Sequence, residues 1–258
     1  MKVTTIRTKV FLRLSSLILK RLGVNVSANS RHNGELRLLK EIASAGLCEG
    51  ETVLFDVGAN KGGYTELLMT AFPNPIVHAF EPGPDAFREL DARHGNNPKV
   101  HLNNVGCSSS SGALTLYSDY PGSSLASIYQ RNLEHVGVSL SHAGSVSVIT
   151  IDEYCKARGI RRIAFLKIDV EGHELEVIKG AQRIVAKDCV DMIQLEFGGC
   201  NIDSRTYMKD FWLLLSNRYD FFRITPHGLS PIERYTEAQE LFGYQNIFLI
   251  RKGHGKNL

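Results

Sequence analysis

Residues 53–84 read VLFDVGANKGGYTELLMTAFPNPIVHAFEPGP. An apolar run ends in Asp56, a glycine-broken turn follows, then a helix-like stretch, and a second apolar run ends in Glu81. Strand, glycine turn, helix and strand in that order read as one unit of a parallel sheet. Two acids at the ends of consecutive strands, with glycines around the first, mark a place where a ligand meets both bare backbone and negative charge.

The same alternation continues outward. Strand patterns lie at 52–56, 76–81, 100–105, 164–169 and 192–197, and helical patterns at 62–71, 84–94 and 172–186. Apolar strands between amphipathic helices imply an α/β fold, with a parallel sheet covered on both faces. Upstream, Leu36, Leu39, Ile42, Ala43 and Leu47 give one apolar helix face that ends near Gly46. Residues 107–146 break the pattern: they are rich in Ser, Gly and Tyr, with short strands at 113–117 and 146–151. The segment between those strands has the length and composition of a lid. After Ser204 a helix running to Asn217 precedes YDFFRIT and QNIFLIRK, a terminal antiparallel pair. No internal repeat occurs, so residues 27–258 are expected to form one domain.

A chain of 258 residues with 43% hydrophobic residues can bury one large core. A formal charge of +3 is too small to indicate a nucleic-acid partner. Five scattered cysteines without a C-x-x-C pair fit a reducing, cytoplasmic setting and no structural zinc site. Residues 1–26 form a basic, acid-free segment, with Ile6, Val10, Leu14, Leu17 and Leu22 at helical spacing. Its apolar stretch is too short to span a bilayer and lacks the features of a signal peptide. It reads as an amphipathic helix, either docked on the domain or resting on a membrane surface or partner.

Ligands of open parallel sheets bind beyond the carboxyl ends of the strands, where Asp56, Glu81, Asn104, Asp169 and Glu196 fall. The first turn, Gly58-Ala59-Asn60-Lys61-Gly62-Gly63, matches the dinucleotide fingerprint G-x-G-x-x-G except at Asn60. A side chain at that second glycine position crowds a diphosphate. S-adenosylmethionine has no phosphate and suits the turn better. Its carboxylate can meet the N–H groups that open the helix after Gly62. Asp56 can offset its cationic end, and Glu81 can accept from both ribose hydroxyls. Gly58 and Gly62 permit the sharp turn.

Five segments in this order resemble the FkbM-type family of S-adenosylmethionine-dependent methyltransferases: FDVGANKGGYT, AFEPGPDAFREL, NNVGCSSSSGALTLY, ITIDEYC and LKIDVEGHELEVIKGA. The resemblance implies a Rossmann-like methyltransferase fold, with a seven-stranded, mostly parallel sheet and an antiparallel last strand. Carried over by position, Asp56, Gly58, Asn60 and Gly62 would line the methionine side and Glu81 would hold the ribose. Asn104 and Val105 would lie near the adenine. The acceptor it implies is a hydroxyl on a sugar, a glycan or a polyketide-like molecule.

In the last of those segments Asp169, Glu171 and His173 crowd the mouth of a helix. Methyl transfer to oxygen needs aligned reactants and a destination for the hydroxyl proton. These three are therefore the candidate catalytic residues. Asp169 and Glu196 can act as base, as hydrogen-bond acceptors or as ligands of Mg²⁺. Two carboxylates do not define a metal site, so no metal is assigned. Asp152 is expected to cap the short helix DEYCKARG. Two rivals stay open: a nucleotide-dependent oxidoreductase, and a non-catalytic binding module built on the same fold.

Overall fold

Thr52–Val57 (β1) is buried along almost its whole length because strands pair with it on both sides. The computed structural model describes residues 3–27, 29–47 and 52–254. Met1 and Lys2 of the basic N-terminal segment, and Cys48, lie outside them. The strands are β1, β2 (Pro75–Phe80), β3 (Val100–Asn103), β4 (Gly106–Cys107), β5 (Gly112–Ser118), β6 (His142–Ile149), β7 (Ile163–Ile168), β8 (Val190–Phe197), β9 (Tyr219–Thr225), β10 (Gly228–Ile232) and β11 (Gln245–Arg251). The main sheet has eight strands in the order β10-β9-β11-β8-β7-β1-β2-β3. From β3 to β8 all pairs are parallel. The last strand, β11, runs antiparallel between β8 and β9. The expected seven strands are thus present, and β10, hairpinned onto β9, adds an eighth at the edge.

Helices α1 (Val3–Arg21), α2 (Glu35–Ser44), α3 (Gly63–Ala71), α4 (Pro84–His94), α5 (Ile151–Arg158), α6 (Glu174–Lys179), α7 (Gln182–Ala186), α8 (Cys200–Ser204) and α9 (Met208–Leu215) complete the chain. Alternate strand residues point to opposite faces, so each buried strand feeds two cores. Leu54, Phe165, Met192 and Phe248 pack with Leu38, Leu39 and Ile42 of α2 and Leu68 of α3. Phe55, Leu166, Ile193 and Leu249 pack on the other face with α5, α6, α7 and α9.

Three expectations change. The helix expected over 172–186 is two helices, because Gly180 turns against the Ser108 carbonyl, where a Cβ would stand 2.0 Å from the oxygen. Asp152 does not cap its own helix. Thr150 does, accepting from the Glu153 N–H, while the Asp152 carboxylate accepts from Arg183 and Ile184 N–H at the start of α7. The strand expected over 100–105 stops at Asn103.

Residues 106–149, which take in the segment that broke the pattern, contribute a separate three-stranded sheet, β4-β6-β5. The stretch between β5 and β6 folds back toward the carboxyl edge of the main sheet, where the Ser127 hydroxyl donates to the Glu171 carbonyl. At the other end of the chain, α1 is not docked along its length. Val10, Phe11, Leu14, Leu17 and Ile18 are 49–68% exposed. The helix is rooted where the Asn25 N–H donates to the Tyr244 carbonyl.

Candidate active site

A cavity of about 450 Å³ opens at the carboxyl ends of β1, β2, β7 and β8, a size ordinary for a small-molecule site. Of the residues picked out from the sequence, Gly58, Asn60, Glu81, Asp169, Glu171, His173 and Glu196 line it.

Its first end is built by the turn after β1. Gly58 takes φ +84° and lies against the turn after β7; a Cβ there would stand 1.7 Å from the Asp169 carbonyl oxygen. Asn60 also has positive φ, a conformation asparagine tolerates. Its side-chain amide donates to the Ser123 carbonyl, tying the stretch between β5 and β6 to the turn. Glu81 is nearly buried, and its two oxygens accept from the Asn60 and Gly83 N–H groups at 2.9 and 2.7 Å. Each oxygen keeps a lone pair for a ligand. Burial pushes the Glu81 carboxyl up to about 7, against the pull of those two N–H groups. Pro82, Leu116 and Val148 give the adjoining wall an apolar surface.

Four sequence candidates stand elsewhere. Asp56 is buried under the turn, accepting from the Thr65 hydroxyl at 2.6 Å, and does not reach the cavity wall. Its burial raises it to about 6. Gly62 is packed against Leu90 and His94 of α4. The Asn104 amide donates to the Glu81 and Pro82 carbonyls, fixing the backbone that carries Glu81. Val105 packs into the core; Gly106 and Cys107 take the wall position expected of it.

The second end is rich in acid. Lys167 is 2% exposed and donates to the Asp169 carboxylate at 2.9 Å. Its ammonium also lies over the Tyr64 ring, 5.1 Å from the centroid. Burial disfavours its charge, but Asp169, Glu35 and Glu196 outweigh that and hold it protonated. Glu35 is buried close by and accepts from Gln194, which in turn accepts from the Tyr64 hydroxyl. Glu171 has positive φ and pairs with Arg131, which lies between β5 and β6. Burial, then the neighbouring Asp169 charge, lifts Glu171 to about 7 although Arg131 pulls it down. The strained turn that carries Glu171 is braced from below: buried Glu174 accepts from the Val170 and Gly172 N–H groups.

His173 is buried rather than solvated. Its Nε2 meets the Ser108 hydroxyl at 2.9 Å and its Nδ1 the Tyr129 hydroxyl at 3.3 Å. Burial lowers its pKa, so at neutral pH the ring is uncharged. Arg131, Lys167 and Glu174 had no signal in a single sequence, since each acts across a long sequence separation or from below a neighbour.

The family model described as the methyltransferase FkbM domain matches residues 56–222, more than half of the chain. Among curated relatives, the hexuronic acid methyltransferase AglP of Haloferax volcanii is 36% identical over 148 residues, 56% of this chain and 54% of that protein. The 31-O-demethyl-FK506 methyltransferase FkbM of Streptomyces tacrolimicus is 30% identical over 154 residues, 50% and 59% of the two chains. The 2-O-methyltransferase NoeI of Sinorhizobium fredii is 24% identical, over 59% and 66%. The match spans 54% of the first of these relatives and at most 66% of any of the three. By the extent of the family match, which runs from the end of β1 into β9 and takes in both ends of the cavity, the chain belongs to the FkbM methyltransferase domain family.

Proposed function

We propose that the chain is an S-adenosylmethionine-dependent methyltransferase that methylates a hydroxyl on a sugar, glycan or polyketide-like acceptor. The observation that carries this reading is one cavity with two chemically different ends. One end pairs a glycine turn with a carboxylate held by two N–H groups; the other gathers carboxylates. The donor set fits the cofactor. Glu81 accepts from the ribose hydroxyls, Gly58 and Asn60 border the methionine part, and the apolar wall takes the adenine. Bound S-adenosylmethionine supplies the methyl group. Asp169 and Glu171 hold the acceptor by its hydroxyls, and His173 fixes the Ser108 and Tyr129 hydroxyls beside them. The domain over 27–258 carries both ends, with the stretch between β5 and β6 as its cover. The oxidoreductase reading loses support at Asn60, whose side chain stands where a pyrophosphate needs bare backbone. The names of the relatives make a hexuronic acid the first acceptor to try.

Calorimetry with S-adenosylmethionine, S-adenosylhomocysteine and NAD tests the reading. Glu81→Ala is expected to weaken both methionine derivatives about tenfold or more, since a hydrogen bond to a charged group contributes roughly 1.5–3 kcal/mol. Tight NAD binding with no response to either derivative would replace methyl transfer by hydride transfer.

We also place α1 on an anionic bilayer surface. Among the described residues no helix is long and apolar enough to cross a membrane, so the contact is lateral. Lys9, Arg13 and Lys20 share a stripe beside the exposed apolar face, and the helix carries no acid. Each such cation near an anionic surface contributes about 1 kcal/mol. Removing residues 1–22 is expected to abolish flotation with phosphatidylserine vesicles and to leave cofactor affinity unchanged. Equal flotation of the shortened protein would contradict this.

A further inference from the structure

Five acids stand at the carboxyl edge of the sheet around the cavity, and four are already engaged. Glu81 and Glu174 accept from backbone N–H groups. Asp169 is bound by Lys167 and Glu171 by Arg131. Glu196, one residue before the end of β8, differs. It is 8% exposed and lines the cavity, yet no hydrogen bond or ion pair reaches its carboxylate among the described residues. A buried carboxylate without a donor is costly. Such a group holds a proton or awaits a ligand that brings one.

We propose that Glu196 is the catalytic base that takes the acceptor's hydroxyl proton. The inference rests on the methyl-transfer reading above. The O–H bond breaks with its electrons left on oxygen, oxygen bonds the methyl carbon, sulfur keeps the electron pair of the broken C–S bond, and the proton ends on Glu196. The other carboxylates already have partners: Asp169 accepts from the Lys167 ammonium at 2.9 Å, and Glu171 is held by the Arg131 guanidinium. Both ring nitrogens of His173 are taken.

The surroundings of Glu196 raise its affinity for a proton, so the transfer starts from its ionised fraction. Burial comes first, then the Asp169, Glu171 and Glu174 charges, with Lys167 opposing; together they push its pKa well above the usual carboxylate range. Tyr244 and Cys200 also face it, and Arg131 lies beyond Glu171. A cation is the competing occupant, because ligand atoms of Glu171, Glu196 and Cys200 lie within 4.8 Å of one another. Arg131 on Glu171 and the burial that raises the Cys200 thiol both work against it.

The first test needs no ligand. With its folded pKa raised, Glu196 binds its proton more tightly in the folded chain than in the unfolded one. Its contribution to stability is whole below the ordinary carboxylate pKa of 4.5 and is lost as pH rises through the folded value. Glu196→Gln removes that loss. Its melting temperature is expected to exceed that of the parent protein at pH 8 and to match it near pH 4. A lower melting temperature for Glu196→Gln at pH 8 would mean that the carboxylate holds a structural partner, and would overturn the proposal. The second test uses labelled S-adenosylmethionine and a methyl glucuronide. Turnover by Glu196→Gln is expected to fall about 10²–10⁴-fold, with S-adenosylhomocysteine affinity within about threefold of the parent. Unchanged turnover, or parent turnover abolished by a chelator and restored by Mg²⁺, would refute a base at Glu196 while leaving methyl transfer intact. A parent protein that binds neither methionine derivative removes the methyl-transfer reading, and the base with it.

Discussion

Replacing Gly58 with alanine is expected to abolish cofactor binding and to destabilise the protein by about 4–5 kcal/mol, at the upper end of single-residue effects. The added methyl would sit 1.7 Å from the Asp169 carbonyl oxygen and 2.8 Å from its carbon. Both are backbone atoms, so no rotamer change relieves the clash. The turns after β1 and β7 are also stitched together by the Asp169 N–H donating to the Val57 carbonyl at 2.9 Å. Moving one turn away from the other therefore pulls apart the two ends of the cavity. The positive φ adds a cost of its own for any side chain. Urea denaturation and calorimetry on the same preparation check both parts. An unchanged midpoint with cofactor affinity within about threefold of the parent would show that the close approach of the turns is not required.

Lys167→Met is expected to cost about 3–5 kcal/mol, the range for removing one partner of a buried ion pair. Asp169 is 36% exposed, and solvent screening there moves the expectation to the lower end. The lysine also neutralises Glu35, which is 5% exposed. The double variant Lys167→Met, Asp169→Asn is expected to recover part of the loss, because one of the two stranded carboxylates is then gone. Chemical denaturation of the two single variants and the double variant measures the coupling. Strict additivity would mean that the ammonium and Asp169 do not interact across 2.9 Å.

Much of the sheet was legible in the sequence because its signals are local. Apolar runs that end in acids gave β1, β2, β7 and β8 to within two residues at each end, and the glycines located the first turn. The break between α6 and α7 was not legible, since Gly180 yields to a carbonyl seventy-odd residues earlier in the chain. Asp152 sat in a sequence context that fits an N-cap, but it serves a helix thirty residues downstream. The site shows the same division. Glu81 and Asp169 stand at strand ends, where period and composition put them. Asp56 looked equivalent, and only the Thr65 hydroxyl above it explains why it turns inward. Arg131, the cation that holds Glu171, lies in a segment with neither periodicity nor motif.

The place of β11 bears on the order in which the chain can assemble. Every residue of β8 is buried in the finished sheet, but one of its edges is covered only by β11. The β9–β10 hairpin reaches the sheet through β11 alone. During synthesis, β8 therefore emerges with an open hydrogen-bonding edge and keeps it until residues 245–251 leave the ribosome. An uncovered apolar edge is a template for wrong pairing. Among the described strands the one that closes the sheet is the last to be made, so a nascent chain stalled before it carries the whole glycine turn and all five cavity acids and is still poised to aggregate.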